Sequence, residues 1–266
     1  MAAVWPPGAS ILNPKSRMHR FHLPPAECRA ATLRLTDAEA HHAARVLRVQ
    51  PGERVAVLDG AGHELLCEVG GVNKREVVLR VVQKFFSAPL PCQITLLQAI
   101  PKGKIFESII QKATELGAHR IVPILSERVG ARLDEKSAAD KGAKWQQVAA
   151  EAVKQCGAVW LPKVDAPQTP KTFLATTGQF DLLLVGSLQT DARHPGEVLR
   201  EFKATHTARP RSIAVWIGPE GDFSLEELKA IQSAGAKPIT LGRLVLRVET
   251  AAIYCLSFLN YEFQRD

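Results

Sequence analysis

No apolar run in the 266 residues approaches the ~18 that a membrane-spanning helix needs. The longest, around Ile94–Ile100 and Ile213–Ile217, are strand-sized. The first twenty residues lack the 7–15-residue apolar core of a secretory signal and carry Pro6, Pro7 and Pro14 instead. Residues 1–18 therefore read as a disordered leader, or as sequence preceding a start at Met18. Cysteine is sparse and odd in number: Cys28, Cys67, Cys92, Cys156 and Cys255, with no CxxC spacing among them. This disfavours a disulfide framework and a zinc ribbon and fits a reducing cytosol. No metal site is expected, since the adjacent His41 and His42 are poorly spaced for ligation and read as a solvated helix edge. The dinucleotide fingerprint GxGxxG, the phosphate loop GxxxxGK[ST] and the nucleophile elbow GxSxG are all absent.

What is present is globular. Hydrophobic residues make up 46% and charged residues 23%, which excludes wholesale disorder, collagen and coiled coil. Lys and Arg number 34 against 27 Asp and Glu, a net charge of +7. The excess is spread along the chain, so it points only weakly to a polyanionic partner. A soluble protein that happens to be basic would look the same.

The seam FFSAPLPC at 85–92 divides two patterns. Before it, short strands are expected at Ala31–Leu35, Arg54–Asp59, His63–Val69 and Glu76–Lys84, with a hairpin at Gly60-Ala61-Gly62. Thr36-Asp37-Ala38-Glu39 has capping-box spacing and should open a short helix through His41–Val46. Such a segment looks like a compact β-barrel. After the seam, strands alternate with helices. Strands are expected at Gln93–Ala99, Arg120–Leu125, Asp181–Val185, Ser212–Ile217 and Pro238–Leu241. Helices are expected at Ile105–Leu116, Ala138–Cys156, from Ser224 to Ala234, and Val248–Phe263. Alternation of this kind means an α/β fold with a parallel sheet.

Ligands of open parallel sheets bind beyond the carboxyl ends of the strands. Two loops there stand out. In IGPEGDFS (217–224), Gly218 and Gly221 let backbone approach a ligand, and the capped helix behind offers free N–H groups. An ordinary strand–turn–helix corner would use the same residues. In LGRLVLRVETAA (241–252), Leu244, Val245 and Leu246 are apolar yet lie in a loop, so they are either tucked into the core or line a pocket. Arg247 and Glu249 are two residues apart, either a structural ion pair or cap, or a pair with chemistry to do. On the loops alone, an enzyme acting on a small anionic metabolite would also fit.

Six segments in order resemble the RsmE-type 16S ribosomal RNA uracil-N3 methyltransferases, a branch of the SPOUT superfamily. They are Arg20-Phe21 with a following proline, His42 with VLRVQPGE (46–53), KGKIFESIIQKATELGAHRIVPILSER (102–128), KWQQVAAEAVKQCG (144–157), IGPEGDFS and LGRLVLRVETAA. The resemblance implies a PUA-like RNA-binding barrel over 19–88 and a SPOUT methyltransferase domain over 89–266, with a C-terminal deep trefoil knot. It makes the glycine loops the walls of an S-adenosylmethionine pocket, held by Val185, Gly186, Ile217, Gly218, Gly221, Leu241, Gly242, Leu246 and Thr250. Leu244–Leu246 would pack near the adenine. Arg20, Arg45 and Arg48 would contact phosphates of the 16S rRNA or small subunit. Methylating N3 requires loss of an imide proton and stabilisation of charge on O2 and O4. Arg247 suits the second task, and Glu249 would either orient Arg247 or accept the proton. A cytoplasmic enzyme follows, with a non-catalytic RNA-binding or assembly factor as the alternative. The chain departs from the family at Asp222, where glycine is usual, at Lys154 and Ala158, where Glu and Arg are usual, and in LLLV (182–185), which lacks a terminal polar residue.

The last helix, Val248–Phe263, carries apolar residues on more than one face, including Ala251, Ala252, Ile253, Cys255, Leu256, Phe258 and Leu259. It must be buried either in its own subunit or against a second copy. A homodimer is the expectation, with Leu256 and Leu259 at the interface.

Overall fold

The computed structural model describes residues 18–73, 75–128 and 135–264; the expected leader lies outside these but for Met18. The chain divides into two units. One runs to Pro89 and includes Ala150–Leu161; the other comprises Leu90–Ala149 and the chain from Pro162 onward.

In the first unit, period-2 alternation produces β1 (Arg20–His22), β2 (Thr32–Thr36), β3 (Arg54–Leu58), β4 (His63–Val72) and β5 (Glu76–Phe86). They form one sheet in the order β1-β3-β4-β5-β2, antiparallel except for the β1–β3 pair. Phe21, Leu33, Leu35, Val55, Val57, Leu65, Val69, Val77 and Leu79 come from all five strands and meet in one core. The β3–β4 hairpin is tied by Asp59, whose carboxylate accepts the N–H groups of Ala61 and His63 at 2.8 and 2.9 Å. Gly60 and Gly62 there have φ of +68° and +97°.

The expected capping box at Thr36 does not form. Thr36 makes no side-chain cap, and α1 (Asp37–His41) passes into a π-helical stretch, His42–Leu47. Glu39, the other half of the expected box, has a different partner. The Lys154 ammonium lies 2.6 Å from its Oε1 and 2.7 Å from Glu151. Asp37, directly after Thr36, takes φ +49°, a left-handed conformation that turns the chain out of the helical first turn a capping box needs.

Residues 150–161 join this unit, which a linear split at 88/89 does not contain. Trp160 accounts for it: its ring fills the space beside Gly62, meets Phe86 edge-on, and donates its indole N–H to the Ser87 carbonyl at 3.0 Å. Leu161 N–H bonds the Gly60 carbonyl at 3.0 Å.

The second unit is built on six parallel strands: β6 (Gln93–Ala99), β7 (Arg120–Ile124), β8 (Lys163–Val164), β9 (Leu182–Gly186), β10 (Ser212–Ile217) and β11 (Lys237–Ile239). Their order is β11-β9-β10-β6-β7-β8. α2 (Ile105–Glu115) and α7 (Val248–Phe263) pack together, with α7 also against β6 and β10. α4 (Pro170–Thr176) and α6 (Leu225–Ser233) contribute Phe173, Leu228 and Ile231 to a core with Leu97, Ala99, Val122, Val185, Ala214 and Trp216. α3 (Glu135–Cys156) spans the division between the units. Among the described residues, two α-helices have no counterpart in the sequence reading, α4 and α5 (Pro195–Thr205). Each opens on proline at its first position behind a capping residue, Thr169 or His194. That is the one helical place where proline fits, because the N–H it lacks would have no partner there.

Candidate functional site

The carboxyl ends of β9, β10 and β11 open onto a cleft of about 750 Å³, within the usual range for a small-molecule site. Three loops form it: one after Gly186, one at 218–224, and one at 240–247. Each is fixed from behind. Ser187 N–H bonds the Ile239 carbonyl, and Thr240 N–H bonds the Arg193 carbonyl. The middle loop is held by the capping box of α6, which does form: Ser224 and Glu227 bond each other's backbone N–H. The buried Glu227 carboxylate also accepts Ser126 Oγ–H and Glu127 N–H, each at 2.9 Å. Further along, Glu220 accepts the Lys102 N–H at 3.1 Å, and Arg128 donates to the Gly221 carbonyl.

Most of the expected pocket residues line this cleft: Gly186, Ile217, Gly218, Leu241, Gly242 and Leu246, together with Arg247 and Glu249. Val185, Gly221 and Thr250 do not line it. Val185 is fully buried in the sheet core, Gly221 is turned toward Arg128, and Thr250 lies on the exposed side of α7. The sequence reading missed Ser187, Leu188, Gln189, Ala192 and Arg243, which also line it. The signal available for the first four was position alone, just beyond an apolar strand.

Leu244 and Val245 are 78% and 76% exposed and face the cleft, so the apolar loop is not tucked into the core. Arg247 is the N-cap position of α7 with an exposed side chain. No ion pair joins Arg247 to Glu249 among the described residues, so the structural-pair reading fails and both groups are free to meet a ligand.

The glycines differ in what they permit. A Cβ on Gly218 would lie 3.1 Å from Asp222 Oδ1 and 3.2 Å from Phe223 N. Gly218 is thus closely packed by its own loop, whereas the sequence argument had it making room for a ligand. Gly242, at φ +114°, has open space where a Cβ would point; its backbone conformation demands glycine. Asp222 takes φ +64°, a left-handed conformation that Asp tolerates better than most residues. This explains how a residue other than glycine holds that turn.

In the first unit, Arg45 and Arg48 are exposed, and Arg48 ends the π-helical stretch at φ +55°. Arg20 is half-buried, its guanidinium packed on Gly157 and its Nε enclosed without a hydrogen-bond partner. Burial lowers the pKa of neighbouring His22, against the nearby charge of Glu39.

Residues 88–260 match the RNA methyltransferase domain, and residues 35–82 match the RNA methyltransferase PUA domain. The chain is 31% identical to ribosomal RNA small subunit methyltransferase E of Bacillus subtilis, over 88% of this chain and 91% of that one. It is 33% identical to the Synechocystis protein of the same name, over 91% and 77%. The crystal structure of the Neisseria gonorrhoeae methyltransferase E bound to S-adenosylmethionine superposes with a TM-score of 0.80 at 28% identity, covering 92% of this chain and 97% of that one. With a PUA domain, a parallel-sheet methyltransferase domain and relatives matched over 77% and 91% of their own length, this chain belongs to the small-subunit ribosomal RNA methyltransferase E family.

Proposed function

We propose that the protein transfers a methyl group from S-adenosylmethionine to N3 of a uridine in small-subunit ribosomal RNA. The observation that carries this is the cleft at the ends of β9, β10 and β11, where apolar Leu244 and Val245 sit beside the unpaired Arg247 and Glu249. Exposed apolar side chains suit an adenine, and Gly242 leaves open space next to them. When bound, the donor supplies an electrophilic methyl on sulfur.

The chain's own residues then have two tasks. N3 is an imide nitrogen, so its proton must leave as the N–C bond forms and the C–S bond breaks. Glu249 accepts that proton, a role supported by its lack of an ion pair with Arg247. Arg247 meets the negative charge that spreads to O2 and O4, which grows only toward the transition state. N3 lies on the Watson–Crick edge, so the target base must be unpaired or extruded to reach the cleft.

The first unit would hold the RNA through phosphate contacts from Arg45 and Arg48, which position without reading sequence. Arg20, half-buried on Gly157, serves better to shape that surface than to contact phosphate. The reading includes a C-terminal knot, which the family resemblance implies and with which the strand order β11-β9-β10 is compatible. It also includes a homodimer, supported by the aromatic stripe of Tyr254 and Phe258 on the outer side of α7. Action in the cytoplasm follows from the substrate. No described helix is long and apolar enough to cross a membrane.

The test is methyl transfer by purified protein to small subunits or their RNA from a strain lacking the gene, followed by nucleoside mass spectrometry. 3-Methyluridine at one position is expected. Absence of transfer, or methylation of another base or atom, overturns the reading.

A further inference from the structure

Asp222 occupies a place where its backbone alone would call for glycine, and its side chain reaches the cleft. Its N–H closes a turn onto the Pro219 carbonyl at 3.0 Å. Oδ1 accepts the Phe223 N–H at 2.8 Å, and Oδ2 lies 3.4 Å from the Leu188 N–H on the loop after β9. The carboxylate therefore bridges two of the three walls.

Five charged side chains line the cleft: Glu220, Asp222, Arg243, Arg247 and Glu249. Glu220 is occupied by the Lys102 N–H. Asp222 is half-buried, and no cation pairs with it among the described residues. A carboxylate that lines the cleft with no cation beside it attracts a positive charge there. The methyl donor carries two, the sulfonium and the α-ammonium, and its product S-adenosylhomocysteine keeps only the second.

We propose that Asp222 is the counter-charge for a cationic group of the methyl donor. The inference rests on the cofactor reading above and adds a residue that this chain supplies for itself. Asp222 acts on affinity and touches no reacting bond.

Calorimetry of wild type, Asp222→Asn and Asp222→Gly with S-adenosylmethionine and with S-adenosylhomocysteine tests it. Asn keeps the oxygen that accepts Phe223 N–H and tolerates the positive φ, but removes the charge and sets an NH2 group where Oδ2 faced the Leu188 N–H; Gly relaxes the backbone and removes the whole group. Both variants should melt close to wild type. Both should bind the donor about tenfold more weakly, or ~1.4 kcal/mol, and the loss in Asp222→Asn should shrink as salt is raised. If the product loses nothing, the partner is the sulfonium; an equal loss makes it the α-ammonium. A folded Asp222→Asn variant that binds the donor within twofold of wild type overturns this inference while leaving the cofactor reading intact. A wild-type protein that binds neither molecule overturns both.

Discussion

Lys154 and Glu39 lie 115 positions apart in the chain, and their charged groups meet at 2.6 Å in the first unit. Only 9% of the Lys154 side chain is exposed. Burial opposes its charge, but hydrogen bonds and attraction from Glu151 and Glu39 outweigh that and raise its pKa. A raised lysine pKa stabilises the fold around neutral pH, where its carboxylate partners are charged. On the alkaline side the contribution is lost as pH climbs through the raised value.

Lys154→Glu should therefore destabilise strongly, by about 3 kcal/mol or more, because it sets three carboxylates together with Glu39 enclosed. The double variant Lys154→Glu with Glu39→Lys should recover part of the loss. Chemical denaturation checks both. A single variant as stable as wild type would mean the pair is idle.

Leu256 and Leu259 are 1% and 0% exposed within a single chain, so they belong to the protomer's own core and not to an interface. Leu256→Glu should unfold the protein, at a cost of about 4 kcal/mol or more. The dimer should respond instead to Tyr254→Glu with Phe258→Glu, which alter the outer side of α7. Light scattering should then report a folded monomer. A wild-type protein that is monomeric at micromolar concentration removes the dimer from the reading.

Gly218 and Gly242 should fail in different ways. Gly242→Ala places its Cβ in open space but strains the backbone by about 1–3 kcal/mol, read as a lowered melting temperature. Gly218→Ala presses on Asp222 and Phe223 N and should weaken donor binding by displacing that loop. Equal effects of the two on calorimetric affinity would contradict this division.

Arg247→Ala should lower turnover by about a hundredfold or more with little change in donor affinity, since its charge is needed as the transition state forms. Arg247→Lys should restore part of the rate. Loss of donor binding with an unchanged single-turnover rate would make Arg247 a structural residue.

Removing Arg45 and Arg48 together should flatten the slope of log RNA affinity against log salt by about 1.4, taking ~0.7 per contact with single-stranded RNA. Arg20→Ala should act mainly on stability. An unchanged slope in the double variant would place both arginines away from the RNA.

Local signals were legible wherever the cause of a structure lay within a few residues. The Ser224–Glu227 capping box, the glycine ends of helices at Gly117 and Gly157, and the β6 and β10 strands follow from spacing and propensity. The glycine loops were legible as loops, and position after an apolar strand was enough to bring most of their residues to one cleft. Tertiary structure decided the rest. Thr36 carries the same capping pattern as Ser224, yet Asp37 turns left-handed behind it and Glu39 meets a lysine 115 residues away, and the spacing of the pattern contains neither. Whether Leu244 and Val245 would be buried or exposed, and whether α7 turned Leu256 inward or outward, depended on which surfaces the sheet had already covered. Arg247 and Glu249 looked the same in sequence as a pair or as two free groups. Only the three-dimensional placement of the loop that opens α7 separated them, because charge complementarity is a matter of distance and the chain fixes distance only once it is folded.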